Sequence, residues 1–182
     1  YKGSWNGLTV ISISIGQGEV NLTPLQIANL GATIANRGYY ITPHVVKTVK
    51  GEPLDTLFTK RHYTKASRSA YDWVVAGMRS SVVKGTCRAA NRADYLVCGK
   101  TGTAQNPHGA DNSVFMCFAP MDNPKIAVVA YIENGGFGAT WAAPIASLLV
   151  ESYLNGEISE ERKYLEKRML EGNLMDRVRI RK

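Results

Sequence analysis

The chain is poorly supplied with metal-binding side chains: its 182 residues include only three cysteines and three histidines. Cys87, Cys98 and Cys117 are too few and too widely spaced for a zinc site or a disulfide framework, and the histidines have no partners at ligand spacing. No metal or other cofactor is expected. Cys117 sits inside an apolar run and reads as a small buried hydrophobe, while Cys87 and Cys98 are left open between paired and free. Long apolar runs are also missing. The best candidate, Trp141 to Val150, is half of what a membrane helix needs and contains Pro144. There is no low-complexity tract, no internal repeat, and no aromatic-basic interleaving of the kind that stacks nucleobases, so nucleic acid is not an expected partner.

What is present describes an ordinary folded domain: 45% hydrophobic and 20% charged, long enough for one apolar core. The net charge of +7 gathers at the end, where Arg177-Val-Arg-Ile-Arg-Lys182 holds four cations in six positions. That run reads as a solvated tail, with attraction to an anionic surface as the alternative. The chain opens on Tyr1 and enters structured-looking sequence at once. It therefore reads as part of something longer, with targeting information upstream.

Periodicity predicts the elements. Leu8 to Ile15 alternates and reads as β-like, with a glycine turn at Gly16-Gln-Gly18. Thr23, Pro24 and Gln26 form a capping-box start for a helix with Ile27, Leu30, Ile34 and Ala35 on one face, ended by Gly38. Residues 41–59 read as two short strands around Gly51-Glu-Pro53. A second helix is expected from about Ser67 to Val83, with Tyr71, Val74, Val75, Met78 and Val82 as its stripe, and a polar loop from Thr86 to Asp94. Then come a strand through Tyr95–Gln105 and a hairpin of buried strands, Val114–Ala119 and Ile126–Ile132. A helix from about Ala142 to Leu154 should turn Ile145, Ala146, Leu149, Val150 and Tyr153 inward. A charged helix starts near Ser159, with acids first and bases last, as its dipole favours. The expected fold class is α+β, an antiparallel β-sheet flanked by helices.

One tetrapeptide carries chemistry. On a strand, Lys100 and Gly102 of Lys100-Thr101-Gly102-Thr103 face one side, Thr101 and Thr103 the other. An ammonium with neighbouring hydroxyls suits a carboxylate, and Gly102 lets a ligand or side chain approach the backbone. Alone, this motif is common. Its context is not. Ile15-Gly-Gln-Gly-Glu19, Leu22-Thr-Pro-Leu-Gln26, Ile34-Ala-Asn-Arg-Gly38, Gly99-Lys-Thr-Gly-Thr-Ala-Gln105, Phe118-Ala-Pro120, Glu133-Asn-Gly-Gly136 and Ala142-Ala-Pro-Ile-Ala146 follow one another in an order that resembles the class B penicillin-binding proteins.

The resemblance implies residues 1–156 as the C-terminal portion of a transpeptidase domain, a partial penicillin-binding protein/serine β-lactamase-like fold, with 157–182 as a charged helix and basic tail. It implies catalytic roles for Lys100 and Thr103, and substrate binding by Thr101, Gly102, Thr103 and Gln105. Lys100 would support proton movement, the hydroxyls of Thr101 and Thr103 would hold a carboxylate, and the Thr103 N–H would serve an oxyanion hole. The nucleophilic serine and its Ser-x-Asn partner would lie upstream. Implied partners are peptidoglycan stem peptides, β-lactam antibiotics and a membrane glycosyltransferase. The implied location is the periplasmic face of a bacterial inner membrane, through an upstream anchor. A serine β-lactamase or β-lactam sensor segment, or a noncatalytic docking module using the last helix and tail, are the competing readings.

Three similar-looking motifs are set aside. Ser81-Val-Val-Lys84 falls at the end of a helix, whereas the family's nucleophile begins one. Ser4-Trp-Asn6 spells Ser-x-Asn, but the family's motif lies much further from the lysine strand. Gly99-Lys100-Thr101 lacks the glycine that a phosphate-binding loop needs at position 94, where this chain has Asp94. His108, in the loop after the strand, reads as solvated, with a substrate-facing role as the alternative.

Overall fold

A computed structural model describes residues 6–18 and 20–175. It contains three layers, with one central sheet between helices. The sheet is antiparallel in the order β3-β4-β5, from Cys98–Ala104, Asn112–Ala119 and Ile126–Ile132. Register is continuous across it: Gly102 lies opposite Val114, and Val114 opposite Tyr131. Because side chains alternate along each strand, the sheet has two apolar faces. On one, Cys98 and Phe118 pack with Ile34, Ala35, Val75 and Met78 from α2 (Pro24–Ala35) and α4 (Arg68–Val83). On the other, Phe115, Cys117 and Ala130 meet Ala142, Ala143, Ala146 and Val150 of α5 (Ala142–Asn155). Phe115 and Phe118 are fully buried on opposite faces, each stabilising the fold by roughly 1.5–3 kcal/mol.

Local chemistry sets the helix boundaries. Thr23 and Gln26 form a reciprocal capping box at α2, with Pro24 inside the first turn. Beyond its end the chain reverses through two left-handed residues, Arg37 (φ 57°) and Gly38 (φ 117°). The Arg37 guanidinium then donates to the carbonyls of Ala35 (2.7 Å) and Met121 (3.2 Å), tying α2 to the β4–β5 turn. Ser67 caps α4 by accepting from the Ala70 N–H. No side chain of its own caps α5. Instead the buried Ser113 on β4 accepts from the Ala142 N–H (3.2 Å) and donates to the Phe137 carbonyl (2.9 Å).

Several expectations change. Residues 7–14 form helix α1 (Gly7–Ser14), not a strand. Asn6 accepts from the Thr9 N–H, and this local cap competes with a pairing for which the alternating run finds no partner strand among the described residues. Between 41 and 59 there is only an isolated bridge, Val49 to Glu52, and a short helix α3 (Thr56–Thr59) nucleated by Asp55. An unanticipated two-stranded sheet joins β1 (Tyr39–Tyr40) to β2 (His62–Tyr63). The loop after α4 includes a 3-10 turn, Arg88–Ala90, and buries Cys87 and Ala90 completely. Leu30, Val74, Leu149 and Tyr153, expected to face inward, are exposed. The last helix, α6, spans Lys163–Leu170 after a 3-10 turn at Glu160–Arg162. The basic run 177–182 lies outside the described residues. All three cysteines are buried and free; burial pushes the Cys98 thiol up to about 11 and the Cys117 thiol up to about 12.

Candidate active site

The lysine-threonine-glycine segment occupies β3, an edge strand whose one described neighbour is β4. Edge position matters because a strand pairing on one side keeps its other row of backbone groups available. Lys100 is exposed, and its Nζ donates to the Thr101 carbonyl on its own strand (2.7 Å). Thr101 and Thr103 are half-buried. The Thr101 hydroxyl pairs with the hydroxyl of Thr86 at 2.7 Å, and the Cys87 sulfur lies 3.9 Å from it. Thr86 comes from the loop after α4, a segment in which sequence reasoning saw only polarity.

A Cβ at Gly102 would make only an ordinary contact, 3.4 Å from the Val114 Cβ directly across the ladder, so side-chain packing does not itself demand glycine there. Gly138, in the turn before α5, is tighter: a Cβ there would meet the carbonyl oxygens of Val114 at 2.4 Å and Gly102 at 2.7 Å. The turn from β5 to α5 is therefore seated against the middle of β3 because position 138 has no side chain. Beside the strand lies a cleft of about 380 Å³, lined by Gln17, Leu22, Ile27, Gly102, Val114 and Tyr131. Gln17 crosses it and donates from Nε2 to the Thr103 carbonyl at 2.8 Å.

Gln105 is exposed just past the strand, as is His108, whose backbone N–H is bonded to Asn106. The loop carrying them is braced: the Asn106 N–H donates to the Asp111 carboxylate (3.3 Å), and the Asn106 side-chain amide donates to the Asn134 side-chain carbonyl (3.2 Å). Lys100, Thr101, Gly102 and Thr103 are thus gathered on one edge, with Gln105 beyond its end and Gln17 and Thr86 added by the fold. The look-alike motifs have other occupations. The Ser81 hydroxyl bonds to the Cys87 sulfur (3.1 Å) near the end of α4, and Asn6 caps α1. Ser4 lies outside the described residues.

A second polar cluster sits on the opposite side of α5. The fully buried Glu151 receives Arg162 (2.6 Å), the hydroxyl and N–H of Ser159 (2.7 and 3.2 Å) and Arg92 (3.3 Å). Burial alone would raise the Glu151 carboxyl, but the two Ser159 hydrogen bonds and the two guanidinium charges outweigh it and hold it below the ordinary carboxylate range.

The model of the penicillin-binding protein transpeptidase domain matches residues 2–151. The peptidoglycan D,D-transpeptidase MrdA of Haemophilus influenzae is 35% identical over 90% of this chain and 28% of its own length. PbpA of Mycobacterium tuberculosis, also named a peptidoglycan D,D-transpeptidase, is 35% identical over 79% of this chain and 32% of its length. The chain thus spans about a third or less of these curated relatives. Among solved structures, Pseudomonas aeruginosa PBP2 in complex with WCK 5153 superposes with a TM-score of 0.74 at 34% identity, covering 88% of this chain and 36% of that one. The imipenem acyl-enzyme complex of penicillin-binding protein A from M. tuberculosis gives 0.66 at 33% identity, covering 79% and 33%. Order of motifs, sheet topology and these likenesses agree, and the chain belongs to the penicillin-binding protein transpeptidase domain family.

Proposed function

We propose that this chain is the C-terminal part of a peptidoglycan D,D-transpeptidase and supplies the binding edge of its active site. The observation that supports this best is Lys100-Thr-Gly-Thr103 on an edge strand, with its ammonium exposed and a cleft beside it. In this reading a serine supplied by the longer protein attacks the carbonyl of a D-alanyl-D-alanine stem. The peptide bond breaks, terminal D-alanine leaves with a proton, and an acyl ester forms on the serine. The amine of a neighbouring stem then attacks the ester, joins the two stems and returns the proton to the serine. A β-lactam enters the first step and stalls at the ester.

Each residue has a part in this proposal. Lys100 supports proton movement and adds positive potential, and Thr101 and Thr103 hydroxyls hold the donor or drug carboxylate. The Thr103 N–H donates to the developing oxyanion, while Gly102 and Gln105 shape the groove around the donor. Residues 1–156 form the transpeptidase portion, with 157–182 appended as charged helix and tail. Stem peptides and β-lactams are the ligands. A membrane glycosyltransferase is the proposed partner, in keeping with the likeness of this chain to part of a peptidoglycan synthase complex that coordinates polymerization and crosslinking. The proposed location is the periplasmic face of the inner membrane, reached through an upstream anchor.

Intact-mass spectrometry after incubation with a β-lactam tests the reading. The full-length protein is expected to gain one drug mass on a serine preceding Tyr1, and the 182-residue chain none. Absence of adduct on the full-length protein would overturn the transpeptidase assignment. An adduct on Ser81 would overturn the placement of the nucleophile.

A further inference from the structure

We infer that Gln17 is a positioning residue for acylation, holding the Thr103 peptide so that its N–H is aimed at the reacting carbonyl. This rests on the transpeptidase reading and deepens it. The Gln17 carboxamide belongs to the segment between α1 and α2, 86 residues from Thr103 in sequence, yet its Nε2 reaches the Thr103 carbonyl at 2.8 Å. The backbone delivering it is tightly specified. Gly16 (φ 79°) and Gly18 (φ 84°) flank Gln17 in the left-handed region that glycine favours. The Gln17 N–H is itself bonded to the Ser12 carbonyl (3.0 Å) at the end of α1. A side chain on Gly18 would stand 2.7 Å from the Ser12 hydroxyl. Gly-Gln-Gly is thus a hydrogen-bonded turn presenting one half-buried carboxamide.

The direction of that hydrogen bond gives it a consequence. In an antiparallel strand a residue's N–H and C=O point to the same side, since hydrogen-bonded partners exchange both. Gln17 is not part of the ladder, and β3 pairs only with β4 among the described strands. A carbonyl held from outside the ladder belongs to the free edge, and the Thr103 N–H shares that edge. Fixing one end of this residue's polar pair fixes the aim of the other. An oxyanion donor acts through orientation set before reaction, so loosening it slows the chemical step more than it weakens binding.

The experiment compares full-length wild type with Gln17→Ala and Gln17→Glu. Stopped-flow acylation by the chromogenic cephalosporin nitrocefin separates the saturating rate constant from the dissociation constant. Removing an oxyanion donor outright costs about 10²–10³ in rate, and misaiming one forfeits part of that. Both variants are expected to acylate about ten- to hundredfold more slowly, with dissociation constants within about threefold of wild type. Gln17→Glu is isosteric and loses its donor when ionised. Relative to wild type its rate should recover as pH falls toward about 4.3, where a protonated carboxyl again donates to Thr103. Rate constants within twofold of wild type would overturn the inference. So would losses shared equally by rate and affinity with no recovery in acid, which would mark a structural role alone. A wild type that is not acylated would sink the transpeptidase reading and this inference together, whereas normal wild-type acylation with unchanged variants would sink the inference only.

Discussion

Two polar clusters flank the sheet, and they are built on opposite terms. Around Glu151, charged groups are buried and matched: Arg92 and Arg162 both reach the carboxylate, Arg162 also donates to Ser147 (2.7 Å), and Arg92 pairs with Asp94 (2.9 Å) and Glu161 (3.2 Å). Along β3, polar groups stand at an edge with light support. Outside the ladder, the Lys100 ammonium has its own strand's carbonyl, the Thr101 hydroxyl has the Thr86 hydroxyl and the Cys87 sulfur, and the Thr103 carbonyl has the Gln17 carboxamide. A buried charge persists only when its neighbours replace water. A site for a charged ligand must keep part of its hydrogen-bonding capacity unspent. The first cluster therefore joins α5, the approach to β3 and the C-terminal turn, while the second is suited to joining the protein to something else.

Substitutions should separate the two sharply. The largest expected effect is on stability: Glu151→Ala leaves two guanidinium groups without their shared carboxylate and should cost about 3–5 kcal/mol. Chemical denaturation would measure it, and a loss below about 1 kcal/mol would mean the cluster is replaceable. The same carboxylate predicts an acid dependence. Its folded-state pKa is depressed, so its contribution is present above the ordinary glutamate value of about 4.3 and is lost as pH falls through the depressed value. Wild type should lose stability over that acidic window more steeply than Glu151→Gln. At the edge, Lys100→Ala should leave stability nearly unchanged, because the ammonium is exposed, and should cut nitrocefin acylation of the full-length enzyme by about a hundredfold. Equal acylation by wild type and variant would remove Lys100 from the proposed chemistry.

Gly138 lies where a change of packing should reach the second region. A methyl group there must displace backbone oxygens of both Val114 and Gly102, neither of which is a flexible side-chain tip. Gly138→Ala should cost about 1–3 kcal/mol as overpacking and also slow acylation, because the displaced turn presses on the middle of β3. A stable variant with normal kinetics would show that the edge strand is insulated from this turn.

The legible parts of this molecule share one property: their determinants are local in sequence. Thr23-Pro-Leu-Gln26 announces α2, the stripe containing Val75, Met78 and Val82 announces α4, and two apolar runs around Pro120–Pro124 announce β4 and β5. The Lys100 motif was readable because neighbouring blocks followed a known order. Elements decided by distant partners were not. The alternating run before Gly16 looks like a strand until one knows that no described strand pairs with it and that Asn6 caps it as a helix. Glu151 reads as one more charge near a helix end, since Arg92 and Arg162 lie 59 residues before and 11 after it. Ser113 as the surrogate cap of α5 has no sequence signal at all. Gln17 had a partial one: a polar side chain between two glycines marks a turn that holds something in place, though not what it holds.

The finest division between the two clusters falls at Thr86. Its hydroxyl is exposed, and its bond to Thr101 connects an otherwise ordinary loop to the proposed carboxylate-binding hydroxyl. Each hydroxyl has one proton, so when Thr86 donates to Thr101, the Thr101 proton is released toward a ligand carboxylate. Thr86→Val keeps the shape and deletes that donor. Stability should change by no more than about 0.5 kcal/mol, as expected of an exposed position. Loss of one neutral hydrogen bond's organisation, about 0.5–1.5 kcal/mol, should raise the nitrocefin dissociation constant roughly two- to twelvefold while the saturating acylation rate holds. That pattern is the inverse of the one expected for Gln17. If Thr86→Val instead lowers the rate and leaves the dissociation constant alone, Thr101 acts on the reacting carbonyl and not on the carboxylate, and the roles proposed for the two threonines of the strand must be exchanged.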